Sequence, residues 1–111
     1  MKTPTKDLIG PALDWAVAKC AKKPYRFENS VGGDYNGNSW WVIRRYSTDW
    51  SQAGPIIDRE HIEFDYDEAT QMYTAANGQH AGQGKTHLIA AMRCYVASKL
   101  GDEVDVPEEL T

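Results

Sequence analysis

The segment from Tyr46 to Ile57 concentrates the side chains of this chain that are best suited to recognising a ligand. Its glycine, proline and small polar residues are typical of a loop, and binding residues are commonly found on loops. Tyr46 and Trp50 offer flat aromatic faces on which a nucleobase or another ring can stack. Asp49 and Gln52 supply hydrogen-bond acceptors and donors for a base edge or for ribose hydroxyls. The segment therefore predicts a recognition loop.

Positively charged groups are expected on both sides of this loop. Arg44 and Arg45 lie at the end of the preceding predicted strand, where their guanidinium groups could pair with a phosphate. Lys85 and the Thr86 hydroxyl precede the C-terminal predicted helix, and the N-terminus of a helix attracts anions. The candidate ligand-binding residues are Arg44, Arg45, Tyr46, Thr48, Asp49, Trp50, Gln52, Lys85 and Thr86.

Each of these features also has a purely structural interpretation, which the sequence leaves open. Trp50 could close one end of the core. Asp49 could cap the turn at Gly54-Pro55, and Gln52 could bond only to the backbone. Thr86 could act simply as the N-cap of its helix. The sequence thus predicts where a site would lie without deciding between the two interpretations.

The chain shows no motif for catalysis or metal binding. Residues Gly82 to Thr86 end like a phosphate-binding P-loop, but Gln79 stands where that motif requires its first glycine. His61 is surrounded by carboxylates that fall on the solvated side of a predicted strand, and His80 and His87 have no partner at a known ligand spacing. No serine lies in a Gly-x-Ser-x-Gly elbow. We expect a protein that is not an enzyme and that uses no metal and no cofactor.

The two cysteines, Cys20 and Cys94, both lie on predicted helices with alanine and valine neighbours. They predict buried, reduced thiols rather than a disulfide or a zinc site. No apolar run approaches the roughly 20 residues that cross a bilayer, and residues 1–7 lack the apolar stretch of a signal peptide. We therefore expect a cytoplasmic protein without a membrane partner.

The net charge of −4 conceals an uneven distribution. Residues 58–68 hold six acids and one Arg, and residues 101–111 hold five acids and no base. The rest of the chain has five acids and eleven bases, a formal +6. This excess either forms a positive face for a small anion or only solvates lysines near the first helix. Duplex nucleic acid is not an expected partner, because the acidic segments would repel it.

Hydrophobic periodicity predicts a single α+β domain over residues 1–111. An N-terminal helix is expected from Pro11 to Ala21, with Ile9 on the line of its buried face. A C-terminal helix is expected to begin after the cap Thr86 and to end at Gly101, where an acidic, extended tail begins.

Between the two helices the pattern predicts a small antiparallel sheet of three to four strands. A short helical turn is expected after Pro55, and a mobile loop is expected at Asn77–Lys85, where three glycines occur. The predicted architecture packs this sheet against both helices. The expected strands are Tyr25–Glu28, Ser39–Tyr46, Ile62–Tyr66 and Met72–Ala76, with a tight turn at Asn36-Gly37.

Three stretches of the chain together resemble the NinX-like family of small bacteriophage and prophage proteins: Gly10–Cys20, Tyr46–Ile57 and Leu88–Glu103. The resemblance covers most of the chain and implies a bacteriophage or prophage source, but it brings no biochemical activity with it. The chain departs from the family pattern at residues 84–87, where Gly-Lys-Thr-His replaces the more usual Gly-Pro-Thr-Pro. A phosphate-binding role for Lys85 would therefore be particular to this protein.

Two functions follow from these features. The first is a non-enzymatic phage accessory protein that binds a small anionic, nucleotide-derived ligand and sequesters it from a host defence system. A homo-oligomer is expected in that case, because loops from two or more copies build a deeper pocket. The second is a protein-binding inhibitor or modulator of a host enzyme, acting through Asp65, Asp67 and the acidic tail.

Overall fold

The computed structural model of the chain describes residues 2–22 and 45–110. Short 3-10 helices occupy Thr5–Asp7 and Glu108–Leu110. The predicted α+β class is confirmed, and no helix among these residues has both the length and the apolar character needed to cross a bilayer. The other elements are β1 (Lys2–Pro4), α1 (Gly10–Cys20), α2 (Trp50–Arg59), β2 (Glu63–Asp67), β3 (Met72–Ala76), β4 (Ala81–Gly84), α3 (His87–Leu100) and β5 (Glu103–Asp105).

Two antiparallel sheets are present in the described part of the chain. β2, β3 and β4 form a three-stranded sheet in that order, in which Tyr73 lies opposite both Tyr66 and Gly84. β1 pairs with β5, with Thr3 opposite Val104. The predicted strand Met72–Ala76 is confirmed, and the predicted strand Ile62–Tyr66 is observed one residue further along. Within the predicted tail, Glu103–Asp105 form β5, which pairs with β1, and Glu108–Leu110 form a 3-10 helix rather than an extended segment.

The central element is α3, which packs against α1, β3 and β4. Its buried residues lie on most of its circumference, so it needs packing partners on several sides. Arg93 of α3 makes hydrogen bonds to two neighbouring segments. Its Nε donates to the Leu8 carbonyl at 2.8 Å, and its Nη1 donates to the Gln83 carbonyl of β4 at 2.7 Å. The buried residues of α3 are Leu88, Ala90, Ala91, Met92, Cys94, Tyr95 and Val96.

The mobile loop predicted at Asn77–Lys85 is wrong for its second half, which forms strand β4. Gly82 and Gly84 are buried against α3. A Cβ on Gly82 would collide with the backbone nitrogen of Cys94 and would lie 2.6 Å from the carbonyl oxygen of Ala90. The alternating glycines therefore allow close approach of a strand and a helix, rather than flexibility of a loop.

Two further expectations differ from the structure near the start of the described segments. Ile9 is 60% exposed, because its extended backbone precedes the helix and does not follow the helical period. Tyr46 lies in a turn rather than at the end of a strand. The rest of that predicted strand up to residue 44, the predicted strand Tyr25–Glu28 and the turn at Asn36-Gly37 lie outside the described residues.

The close packing of β4 on α3 predicts opposite effects of alanine at two glycines. Gly82→Ala is expected to lower the free energy of unfolding by about 2 kcal/mol or more, because the added Cβ would have to push backbone apart. Gly54→Ala, inside α2 where an added Cβ meets nothing within 4 Å, is expected to raise it by about 0.5–1 kcal/mol. Urea denaturation followed by circular dichroism measures both. A Gly82→Ala variant as stable as the wild type would contradict the observed packing.

Candidate functional site

A tight turn at residues 45–49 leads into α2 and is held by a compact set of hydrogen bonds. Asp49 is the N-cap of α2, and its Oδ1 accepts hydrogen bonds from the Ser51 backbone nitrogen at 2.9 Å and the Ser51 hydroxyl at 2.6 Å. These bonds lower the pKa of Asp49. Gln52 Oε1 accepts from the Arg45 backbone nitrogen at 3.0 Å. Gln52 therefore bonds to the backbone, but not only to the backbone as its structural interpretation had it, because its Nε2 also donates to the Asp49 carboxylate.

The recognition loop predicted at Tyr46–Ile57 is wrong for most of its length, because α2 begins at Trp50 and contains Pro55. The cap at Asp49 starts the helix, and burial of Ala53 and Ile56 holds it in place. Asp49 thus caps α2 and not a turn at Gly54-Pro55. Tertiary burial outweighs the turn-forming composition of the segment here.

The turn is anchored to α1 by a buried carboxylate. Asp14 is only 7% exposed, and its Oδ1 accepts a hydrogen bond from the Ser47 backbone nitrogen at 2.8 Å. Burial raises the pKa of Asp14, while the hydrogen bond from the Ser47 backbone nitrogen, the nearby Ser47 hydroxyl and the charge of Arg45 act in the opposite direction. Tyr46 is buried beside this anchor in the core, so its ring is not available for stacking on a ligand.

A cleft of about 400 Å³ lies where this turn meets the N-terminus of α3. The cleft brings together two segments that lie far apart in sequence, the turn before α2 and the two residues between β4 and α3. Four of the candidate residues line it, namely Thr48, Trp50, Lys85 and Thr86. The described residues that line it, called the lining residues below, are Ser47, Thr48, Trp50, Tyr73, Lys85, Thr86, His87 and Leu88.

One side of the cleft is an aromatic wall formed by Trp50, Tyr73 and His87. The His87 ring centroid lies 3.9 Å from that of Tyr73 and 6.0 Å from that of Trp50, and Phe64 packs edge-on against it at 5.0 Å. Trp50 is 54% exposed. Its predicted structural role of closing the core is therefore wrong, and much of its ring is open to solvent.

The other side of the cleft is polar. Thr86 is the N-cap of α3, and its Oγ1 accepts a hydrogen bond from the Ile89 backbone nitrogen at 3.1 Å, which confirms the predicted cap. The Thr86 hydroxyl keeps its own hydrogen as a donor. Lys85 is exposed beside it. The lining residues include no carboxylate, although the whole chain carries a net charge of −4.

Ser47 has an unusual position at the edge of this cleft. Its side chain is only 3% exposed, and its hydroxyl has no hydrogen-bond partner among the described residues. The hydroxyl lies close enough to Asp14 to lower the pKa of that carboxyl, but its geometry does not complete a hydrogen bond. A buried polar atom without a protein partner is uncommon in folded proteins, and a bound water, an ion or a ligand can complete its hydrogen bonding.

The remaining candidate residues do not line the cleft. Asp49 and Gln52 bond to each other and to the turn, at 3.3 Å between Gln52 Nε2 and Asp49 Oδ2. Arg45 is exposed at the far end of the turn, and Arg44 lies outside the described residues. The sequence did not indicate Tyr73 or His87. Tyr73 enters the cleft because the strand register sets it opposite Gly84, next to Lys85.

The described residues contain no group of three or more His, Cys, Asp or Glu side chains arranged to hold a metal ion. Cys20 and Cys94 are free thiols. Burial raises the pKa of Cys20 to about 11 and also raises the pKa of Cys94, whose Sγ lies 3.4 Å from the His80 carbonyl. Thiols with raised pKa values are poor nucleophiles.

Comparison with known proteins places this geometry in a family context. The family model described as Bacteriophage P22, NinX matches residues 4–99. The match spans α1, α2, the three-stranded sheet and nearly all of α3, and it confirms the resemblance predicted from the sequence. No curated protein matches the chain.

The buried Asp14 carboxylate predicts a pH-dependent stability. Its raised pKa means that the folded protein holds the proton more tightly than the unfolded chain. The stabilisation that protonated Asp14 gives the folded protein is therefore fully present below the ordinary pKa of Asp. It is lost as the pH rises through the raised pKa of Asp14. Asp14→Asn keeps an acceptor for the Ser47 backbone nitrogen but carries no charge. We expect the variant to gain stability relative to the wild type as the pH rises from below the ordinary pKa of Asp through the raised pKa of Asp14.

Urea denaturation at several pH values measures this difference, because the other carboxylates titrate in both proteins and cancel. Asp14→Ala is the companion variant, since it leaves the Ser47 backbone N–H unpaired. It is expected to cost about 1–3 kcal/mol. A difference between Asp14→Asn and the wild type that does not change with pH would contradict the burial of this carboxylate.

Proposed function

Since the chain belongs to the bacteriophage P22 NinX family, we propose that it is a phage accessory protein that binds a small anionic, nucleotide-derived ligand. The proposed binding site is the cleft between the turn before α2 and the N-terminus of α3. The single observation that carries the proposal is the position of the exposed Trp50 ring in the same cleft as Lys85 and Thr86. A group that can stack on a ring therefore lies next to groups that can bind an anion.

The aromatic wall supports the ring part of this proposal. Base stacking on an aromatic side chain contributes roughly 1–3 kcal/mol and tolerates any base. An exposed tryptophan with rings packed behind it is also held more firmly than an isolated surface side chain. The contacts of His87 with both Tyr73 and Trp50 provide this support.

The charge pattern supports the anionic part. Lys85 and the N-terminus of the helix α3 both favour a negative group, and no lining carboxylate opposes it. The neighbouring β2 carries exposed acids at Glu63, Asp65 and Asp67. A long polyanion would meet these acids, whereas a small anion would not, so duplex nucleic acid is not a proposed partner.

We propose stoichiometric binding rather than turnover. Burial and raised pKa values make both described cysteines unsuitable as nucleophiles, and the sequence carries no catalytic motif. In a phage protein acting in the host cytoplasm, such binding would withdraw a nucleotide signal from a host defence system. A homo-oligomer that pools clefts from several copies would hold the ligand more deeply.

A second candidate function is favoured by the exposed acids of β2. Those acids could imitate nucleic-acid charge towards a basic host enzyme, with Asp65 and Asp67 as the central residues. The two functions differ in the variants that abolish them. Trp50→Ala should remove ligand binding only, whereas Asp65→Asn combined with Asp67→Asn should weaken a protein partner and its salt sensitivity.

Native mass spectrometry with a panel of mono-, di- and cyclic nucleotides and ADP-ribose tests the first function. We expect the wild type to show the added mass of a bound nucleotide. Trp50→Ala loses the stacking surface, so its affinity for that nucleotide should be about tenfold or more lower. Lys85→Gln should also weaken binding, while Lys19→Gln, which removes the same charge on α1, should not. The same spectra report the oligomeric state.

Absence of any bound nucleotide across the panel would overturn the ligand-binding function. Recovery of a host protein that is released by the two acidic-strand substitutions would then support the second function. Thermal unfolding of each variant controls for loss of the fold, and Trp50→Phe, which keeps an aromatic face, should retain most of the binding.

A further inference from the structure

We infer that the cleft selects ligands with one ring and a single phosphate group, which makes nucleoside monophosphates its preferred class. This inference rests on the proposed function and adds to it the number and position of the ligand's phosphates. The phosphate would sit at the N-terminus of α3, and the base would lie on the exposed face of Trp50. Four observations lead to this arrangement.

The first observation is the charge of the cleft. Among the described residues that line the cleft, Lys85 is the one lysine or arginine, and none is an acid. The N-terminus of a helix adds the equivalent of about half a positive charge. Together these match a phosphate monoester, whose charge at neutral pH is about −1.5 to −2. A second or third phosphate would find no further cation among the lining residues.

The second observation is the set of hydrogen-bond donors at the start of α3. The Thr86 side chain accepts from Ile89, and the Thr86 carbonyl accepts from the Ala90 backbone nitrogen at 3.1 Å. The backbone N–H groups of His87 and Leu88 are not engaged by any described residue, as expected for the first turn of a helix. These two donors and the Thr86 hydroxyl suit the oxygens of one phosphate group.

The third observation is independent of the helix. The Ser47 hydroxyl is buried at the edge of the same cleft and has no hydrogen-bond partner among the described residues. Leaving such a group unpaired is costly, so a ligand oxygen that completes its hydrogen bond gains affinity. A change of the Ser47 side-chain rotamer would turn the hydroxyl towards the ligand, and such changes are common on binding.

The fourth observation is the separation of polar and aromatic groups within the cleft. Trp50 and Tyr73 belong to α2 and β3, whereas Lys85 and Thr86 lie between β4 and α3. A ligand that uses both sides needs a flat ring at one end and an anion at the other. A nucleoside lacks the anion and inorganic phosphate lacks the ring, so each should bind more weakly than the monophosphate.

Isothermal titration calorimetry with the full chain tests this inference, with AMP as the probe and adenosine, ribose 5-phosphate, ADP and ATP as comparators. We expect AMP to bind about tenfold or more tightly than adenosine and ribose 5-phosphate, because each lacks one of the two contacts. ADP and ATP should bind no more tightly than AMP. GMP, CMP and UMP should lie within about tenfold of AMP, because stacking tolerates any base.

Ser47→Ala is the most informative variant. It should weaken AMP binding severalfold, because a ligand oxygen loses this partner, and its melting temperature should fall by no more than the loss of the hydroxyl's effect on the Asp14 carboxylate accounts for. Ser98→Ala is the matched control. It removes a hydroxyl that donates to the Tyr95 carbonyl at 2.7 Å outside the cleft, and it should leave AMP binding unchanged.

The outcomes separate this inference from the proposed function. Binding of ADP or ATP about tenfold more tightly than AMP would overturn the single-phosphate inference and would leave the proposed function standing. AMP binding that is unchanged in Ser47→Ala and Lys85→Gln would overturn the placement of the phosphate at α3. Failure of every nucleotide to bind would overturn the proposed function itself.

Discussion

The close approach of β4 to α3 is the constraint on which the rest of this structure depends. It is possible only because Gly82 and Gly84 present no side chain to the helix, so that strand and helix backbones pack directly on each other. Only Lys85 and Thr86 then connect the two elements. The N-terminus of α3 is thereby held beside the end of β4, and the strand register carries Tyr73 to the same place. One packing contact thus sets both the polar and the aromatic side of the cleft.

A second contact, between Asp14 and Ser47, positions the turn before α2 and with it Trp50 beside the N-terminus of α3. Asp14 reaches from α1 to the Ser47 backbone nitrogen, and Asp49 starts α2 two residues later. A buried carboxylate is an expensive anchor, because burial raises its pKa and opposes its charge. The hydrogen bond from Ser47 offsets part of that cost. The turn is consequently short and well bonded, and Trp50 is exposed at the first turn of α2 rather than at the tip of a loop.

The parts of this structure that the sequence predicts are those with a clear period. α1, α3 and β3 follow hydrophobic patterns that leave little choice, and the Thr86 cap was recognised from its position before an apolar run. β4 was missed because glycine in a strand has the same local signature as glycine in a loop. The sequence predicts only the last part of α2, as a helical turn after Pro55, because proline suggests a helix start rather than a helix interior; tertiary burial extends the helix back to Trp50. Four candidate residues reached the cleft, while Tyr73 and His87 depend on strand register and packing that no local pattern contains.

The distribution of charge explains how an acidic protein can favour a small anion. Fields of exposed charges fade over a Debye length of about 8 Å at physiological ionic strength. For the proposed anion inside the cleft, Lys85 and the helix N-terminus would therefore dominate, because the described lining residues include no acid. A longer polyanion extends beyond that range, where the exposed carboxylates of the described chain, including those of β2, would act on it. In the proposed function, the acids that give the chain its net charge of −4 would therefore disfavour a large polyanion more than a small anion bound beside Trp50.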